Sequence, residues 1–229
     1  MTSLGATTTQ RRTRIATLTL LVVGAVLYSS WLLELVLPTG LDPTAVFASE
    51  LAALDQPYGF LFRTGDLCTG IVLAVAGGLG LTLRPRRALT TIGWVFLVVF
   101  AVSTAADSRM PLSCAAHASA QCAALEAAGL NESAQLHAVT SWFAAVSAAV
   151  SGVAFIAAAF RYRWPRGQRV FGVVLLCAYA AGTVWLYFAT GGGDVWGLGV
   201  AQRLQLAATS AWLIFVALHT FRGLRRGST

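Results

Sequence analysis

The arginines of this chain sort by loop. Six apolar stretches are joined by five short connections, and the sixteen basic residues are all arginine. Thirteen of them fall in four clusters: Arg11, Arg12 and Arg14 near the N-terminus; Arg84, Arg86 and Arg87 in the second connection; Arg161, Arg163, Arg166 and Arg169 in the fourth; Arg222, Arg225 and Arg226 at the C-terminus. Only Arg63, Arg109 and Arg203 fall in the odd connections, and all nine acidic residues can be placed on that same side of a membrane. Cytoplasmic loops carry the excess of Lys and Arg in membrane proteins. The alternation predicts an all-α, polytopic membrane bundle of six transmembrane helices with both termini cytoplasmic.

Composition agrees with a bilayer as the solvent. The chain is 57% hydrophobic and 11% charged, with a mean hydropathy of +0.71. A soluble domain of this length could not hide that much apolar surface. The net charge of +7 divides into +13 on the cytoplasmic side and −6 on the other. That split argues against nucleic acid as a partner. It suits instead cytoplasmic helix ends held against anionic lipid in the plasma membrane.

The spans are expected at 15–37, 64–83, 88–106, 136–160, 170–190 and 203–221, all within one transmembrane domain. The first resembles the core of a signal peptide. It is long enough to cross at about 1.5 Å per residue and carries no small-residue cleavage motif, so it is expected to stay as a span. The runs Ala76-Gly-Gly-Leu-Gly80 and Ala144 to Ala149 suit close helix contact in lipid.

The first outer connection should contain a short helix. Asp42 is a good N-cap, and Pro43 suits the first helical position. From there Phe47, Leu51 and Leu54 share one face, and Glu50 shares it with them. A carboxylate on the apolar face points into the bundle or the headgroup layer.

Other polar residues stand at the same depth: Glu34, Ser49, Asp66, Asp107, Arg109, His137, Ser141, Gln202 and Arg203. Ionisable groups there are costly and tend to be paired or functional. Asp66 opens an inward-running helix, where a carboxylate caps or favours the dipole. Glu34 and Asp107 stand at helix C-termini, the wrong end for their sign, and Arg203 at a helix start is misplaced in the opposite sense. An ion pair of Arg203 with Asp107, Glu50 or Glu34 removes both mismatches. The expectation is one outer site formed by Glu50, Asp107, His137 and Arg203.

Cys114 and Cys122 lie in the third connection, on the face where disulfides persist. A bridge would close a nine-residue loop and stabilise by somewhat less than the ~3 kcal/mol of a 15-residue loop. The rival is zinc held by Cys114, His117, Cys122 and His137. Cys68 and Cys177, inside spans, are expected to be packing residues.

Several short motifs carry a resemblance. They are Ser49-Glu-Leu-Ala-Ala53, Gln56-Pro57, Phe62-Arg63, Asp66 through Gly70, Asp107 with Cys114 and His137, and Gly199 through Gln202-Arg203-Leu204. Together they resemble the six-span prokaryotic membrane proteins grouped as DUF998. The resemblance implies the six-span fold and an outward-facing polar site, and no established reaction.

Two kinds of function fit these residues. A hydrolase or transferase acting on lipid or lipid-linked substrates would use His137 as general base, oriented by Asp107 or Glu50. Ser49 would be the nucleophile, and Arg203, Arg109, Gln202, Ser141, Glu34 and Asp66 would contact the ligand. No nucleophile elbow accompanies them. Alternatively the same cluster serves a small transporter or ligand-binding protein, or an accessory subunit as a structural network. The middles of the spans are uncharged, whereas carriers place their sites near mid-membrane.

Topology is tested by labelling single introduced cysteines in intact cells. Positions beside Arg86 and Arg166 should be protected from an impermeant reagent and positions beside Glu126 exposed. Reversed labelling would overturn the inside–outside assignment.

Overall fold

Within lipid every backbone polar group must be satisfied by the chain itself, and apolar runs of about 20 residues meet that demand as helices. The computed structural model describes residues 2–191 and 197–226. Asp194, and the side chains of Arg225 and Arg226, lie outside what is described. The helices are α1 (Thr2–Tyr28), α2 (Gly59–Thr82), α3 (Ala88–Asp107), α4 (Ala120–Ala127), α5 (Glu132–Arg161), α6 (Arg166–Gly191) and α7 (Leu198–Arg226). Among the described residues all regular structure is helical. Six helices are long and apolar enough to cross a membrane, and short α4 sits in the connection between α3 and α5.

The six long helices close a ring. Each packs on the next in chain order, and α1 returns to pack on α7. One close seam joins α2 to α3. A Cβ on Gly70 would stand 2.6 Å from the carbonyl oxygen of Ala101, so only glycine permits this approach. Aromatic side chains fill the middle: Phe100, Trp94, Phe155, Trp212 and Phe215 are buried. Their rings meet edge to face, with centroids 5.1 Å apart for Trp94–Phe155 and 6.0 Å for Phe100–Trp212. Aliphatic side chains such as Val26, Ile71, Val102 and Val174 cover the outside, as a lipid-facing surface requires.

Several helices run past the apolar stretches that announce them. α2 starts at Gly59 instead of 64, α5 at Glu132 instead of 136, and α7 at Leu198 instead of 203. Hydropathy stops where polar residues begin, but these extra turns carry Arg63, Ser133 and Gln202, whose polar groups find partners in the fold. Asn131 also caps α5, its side chain accepting from the N–H of Ala134. The first span ends differently, tightening into a 3₁₀ segment at Ser30–Leu35.

The first outer connection departs from the expected helix. The Asp42 carboxylate accepts the N–H of Thr44 at 2.9 Å and its hydroxyl at 2.7 Å, which makes a turn. A 3₁₀ segment, Ala48–Ala52, follows. Leu51 and Glu50 are buried as expected, but Leu54 is exposed. In the third connection Cys114 and Cys122 form a disulfide, with Cα atoms 6.1 Å apart. Cys68 and Cys177 are free thiols.

Candidate functional site

The two ends of the ring differ. The arginine-rich end has short turns, while the acidic end is folded over by the first connection. Arg203, in the second turn of α7, holds that cover down. Its Nε donates to Glu34 Oε1 at 2.6 Å and its Nη2 to Oε2 at 2.5 Å. Its Nη1 donates to the carbonyls of Val46 at 2.9 Å and Gly199 at 3.1 Å. The fork geometry of a guanidinium matches a carboxylate in this way. The loop also lies directly on α7: a Cβ on Gly199 would collide with the carbonyl oxygens of Pro43 and Val46.

A second arginine anchors the other end of the cover. Arg63 Nη1 donates to the carbonyls of Ala52 at 2.6 Å and Ala53 at 3.2 Å. Between these anchors sits Glu50, with 1% of its surface exposed. Its carboxylate accepts the N–H of Phe47 at 3.1 Å, the N–H of His117 at 2.9 Å and Nδ1 of His117 at 3.1 Å. Three donors offset the cost of burying the charge. Glu50 thereby ties the first connection to the disulfide loop.

Beneath residues 48–52 lies a cavity of about 130 Å³. Two carboxylates face it, Asp66 from α2 and Asp107 from the end of α3. Ser49, Ser141 and Gln202 also line it, and Tyr28, Trp31, Phe62 and Phe100 supply aromatic walls. Asp107 is held from α5: the Thr140 hydroxyl donates to Oδ1, as does that of Ser141 at 3.0 Å. His137 Nδ1 lies 3.2 Å from the same oxygen, within ion-pair range, although its N–H does not point along a hydrogen bond. Ser141 Oγ is also 3.3 Å from His137 Nε2. Asp66 has neither a hydrogen bond nor an ion pair among the described residues.

The expected single cluster of Glu50, Asp107, His137 and Arg203 is therefore divided. Arg203 pairs with Glu34, Glu50 with His117, and Asp107 with His137. Each charge takes the opposite charge its own helix or loop brings nearest, which removes any reason for one common site. Glu34 is consumed in its pair, with 5% of its side chain exposed. Arg109 is exposed beyond α3 and outside the cavity. Asp66 is no cap, because α2 begins seven residues earlier and Asp66 sits in its body. Gln202 reaches both the cavity and the cover, accepting the N–H of Ala48 at 2.5 Å. Ser49 lines the cavity, but the serine beside His137 is Ser141. The zinc grouping is not assembled: both cysteines are in the disulfide, and the two histidines face different carboxylates. Among the described residues no three His, Cys, Asp or Glu side chains gather to hold a metal. The roles of Arg63 and His117 carried no sequence signal beyond an arginine out of place in an acidic loop and a histidine three residues after Cys114.

Compared with known proteins, residues 21–219 match the family model described as Protein of unknown function (DUF998). No curated protein and no solved structure matches the chain.

Two predictions come from the cover. Arg203→Ala leaves the Glu34 carboxylate buried without a partner, and stranding a buried charge costs about 3–5 kcal/mol. Adding Glu34→Ala should recover part of that loss in unfolding measurements in detergent. Strictly additive losses would show that the pair is not coupled.

The second concerns pH. The hydrogen bond that His117 donates to Glu50 raises the His117 pKa above its ordinary value against the opposing effect of burial. A raised pKa in the folded state means the contact stabilises fully below the ordinary value of about 6.5 and fades as pH rises through the folded value. The stability gap between wild type and His117→Asn should shrink from about pH 5 to 8. A gap that widens with pH would contradict the pairing.

Proposed function

The chain belongs to the DUF998 family, proteins of unknown function, and from its own geometry we propose a plasma-membrane protein with cytoplasmic termini that binds a small cationic ligand in the cavity beneath residues 48–52. The observation that carries this reading is Asp66, a carboxylate on the cavity wall with no hydrogen bond or ion pair among the described residues. An unpaired charge at membrane depth is costly, and a bound cation relieves that cost. Asp107 adds a second carboxylate on the same cavity. Tyr28, Trp31, Phe62 and Phe100 offer ring faces, which attract ammonium groups. The volume of about 130 Å³ is well below the roughly 300–1,000 Å³ of sites for drug-sized ligands. It suits an inorganic cation or a small amine and leaves no room for an acyl chain. The arginine distribution supports the orientation, with this cavity at the non-cytoplasmic end.

One observation favours a second reading. Asp107, His137 and Ser141 have the contacts of a serine-hydrolase triad, with the carboxylate near Nδ1 and the hydroxyl near Nε2. Yet the Ser141 hydroxyl also donates to Asp107. A hydroxyl engaged in that way is not activated by the histidine. Binding is therefore the leading reading.

The test is thermal unfolding of the purified protein with ammonium, methylamine, choline, sodium or potassium chloride. A ligand at 100 times its Kd stabilises by about 2.7 kcal/mol. At least one cation should raise the midpoint of wild type and Ser141→Ala, and the rise should vanish in Asp66→Asn. If none does, or if Asp66→Asn responds like wild type, the cation reading falls. Lipid hydrolysis lost in both Ser141→Ala and His137→Ala would establish the second reading.

A further inference from the structure

The opposite end of the bundle holds a larger cavity, of about 340 Å³, which the acidic-end site does not use. Five arginines line it: Arg14 from α1, Arg84, Arg86 and Arg87 from the α2–α3 turn, and Arg222 from α7. Among the described residues no carboxylate lies at this end, and every ion pair between side chains is at the other. The guanidinium groups are oriented by neutral partners. Arg14 donates to the carbonyl of Arg84, and Arg222 donates to the Oε1 of Gln168. Gln168 is itself buried and donates to the carbonyl of Phe215 at 3.3 Å. Arg87 lies over the Tyr162 ring, 4.4 Å from its centroid. These contacts fix direction and leave the charge uncompensated.

A second feature has the same sign. α3 begins at this cavity, with Thr90 and Thr91 of its first turn on the wall. Its N-cap, Arg87, makes no capping bond, and no acidic residue stands in its first turn. A helix N-terminus carries partial positive charge and free N–H groups, the usual setting for a phosphate. Trp164 of the α5–α6 turn also lines the cavity, and tryptophan marks the headgroup depth of a bilayer. Basic pockets between helices on the cytoplasmic side bind anionic headgroups.

We propose that this cavity is a binding site for a phosphate group, carried by an anionic lipid headgroup or by a soluble phosphate compound. Guanidinium groups bind phosphate oxygens through paired N–H donors, and several can share one phosphate. The site draws on α1, α2, α3, α6 and α7 and on the α2–α3 and α5–α6 turns, so its occupant would also brace α1 and α7 against those turns.

The experiment compares wild type with two double variants. Arg84→Gln with Arg86→Gln removes two exposed lining arginines whose side chains make no hydrogen bond in the fold. Arg12→Gln with Arg166→Gln removes the same charge from the same end outside the cavity. Each protein is reconstituted in phosphatidylcholine alone or in an equimolar mixture with phosphatidylglycerol, then extracted and weighed intact by native mass spectrometry. Wild type and the Arg12/Arg166 variant should retain phosphatidylglycerol, and the Arg84/Arg86 variant should retain about tenfold less or none. In a second arm, inorganic phosphate is titrated against the unfolding midpoint without anionic lipid. A phosphate-dependent rise seen in wild type and the control but not in the Arg84/Arg86 variant, with no lipid retained, assigns the site to a soluble phosphate compound. A monodisperse elution profile establishes that each variant is folded. Should the Arg84/Arg86 pair fail that check, Arg86→Gln alone is used, with the same readings. Equal loss in both variants means diffuse surface charge and overturns the site, as does no retention and no response to phosphate.

Discussion

One guanidinium sets the shape of the acidic end. Arg203 joins three pieces of chain that are distant in sequence: the 3₁₀ end of the first span through Glu34, the first connection through Val46, and its own helix through Gly199. Without the pair, Glu34 would be an unpaired charge at a helix C-terminus and Arg203 one at a helix N-terminus. Each is the wrong sign for its dipole, and each neutralises the other. Because Nη1 also reaches Val46, the ion pair fixes how closely the connection lies on α7. The roof of the cavity, Ala48 to Ala52, follows directly in sequence from that clamped point.

The arginines that break the charge pattern explain themselves through this cover. Three stand at the acidic end, and two of them, Arg203 and Arg63, give hydrogen bonds to carbonyls of the first connection. A non-repetitive loop packed over helix ends leaves carbonyls with no ladder to join, and a guanidinium serves several at once. Glu50 plays the complementary part, collecting N–H groups from the first and third connections. The acidic end thus spends its charges on holding loops. The arginine-rich end has only short turns to hold, and five of its arginines line a cavity.

Hydropathy and arginine spacing made the six helices legible, because a bilayer imposes one length and one backbone solution on every span. Cys114 and Cys122 were legible from their spacing and face. The inward direction of Glu50 was legible from helical periodicity, even though the segment is 3₁₀. Pairing was legible only as a choice. Helix-dipole mismatch names Arg203, Glu34 and Asp107 as groups in need of a partner, but depth alone does not say which neighbours which. That depends on the ring order, which brings α1 against α7 and α3 against α5. Asp66 was misread because α2 has no N-cap signal at Tyr58, so the first apolar residues after Arg63 looked like its start. Ser141 was placed at the right depth, but its position one turn beyond His137 gained meaning only once Asp107 faced both.

The aromatic middle of the bundle bears on what the two cavities can do together. Phe100 forms part of the upper cavity wall and is 1% exposed. It meets Tyr28 edge to face at 5.3 Å on one side and Trp212 at 6.0 Å on the other. Leu97 and Leu213 are fully buried in the same core cluster, and Trp94, in the same cluster, is part of the lower cavity's wall. A polar ligand crossing between the cavities would have to part this plug, and each large side chain displaced from such packing costs kilocalories. An alternating-access carrier keeps its site near the bilayer midplane between two moving halves. Here the middle of the bundle is apolar, down to a small cavity of about 30 Å³ walled by Ile156, Leu175, Trp212 and Phe215, and the charged groups lie at the ends. The two proposed sites are therefore read as separate, one at each end of the ring, and not as stations on a path for one ligand.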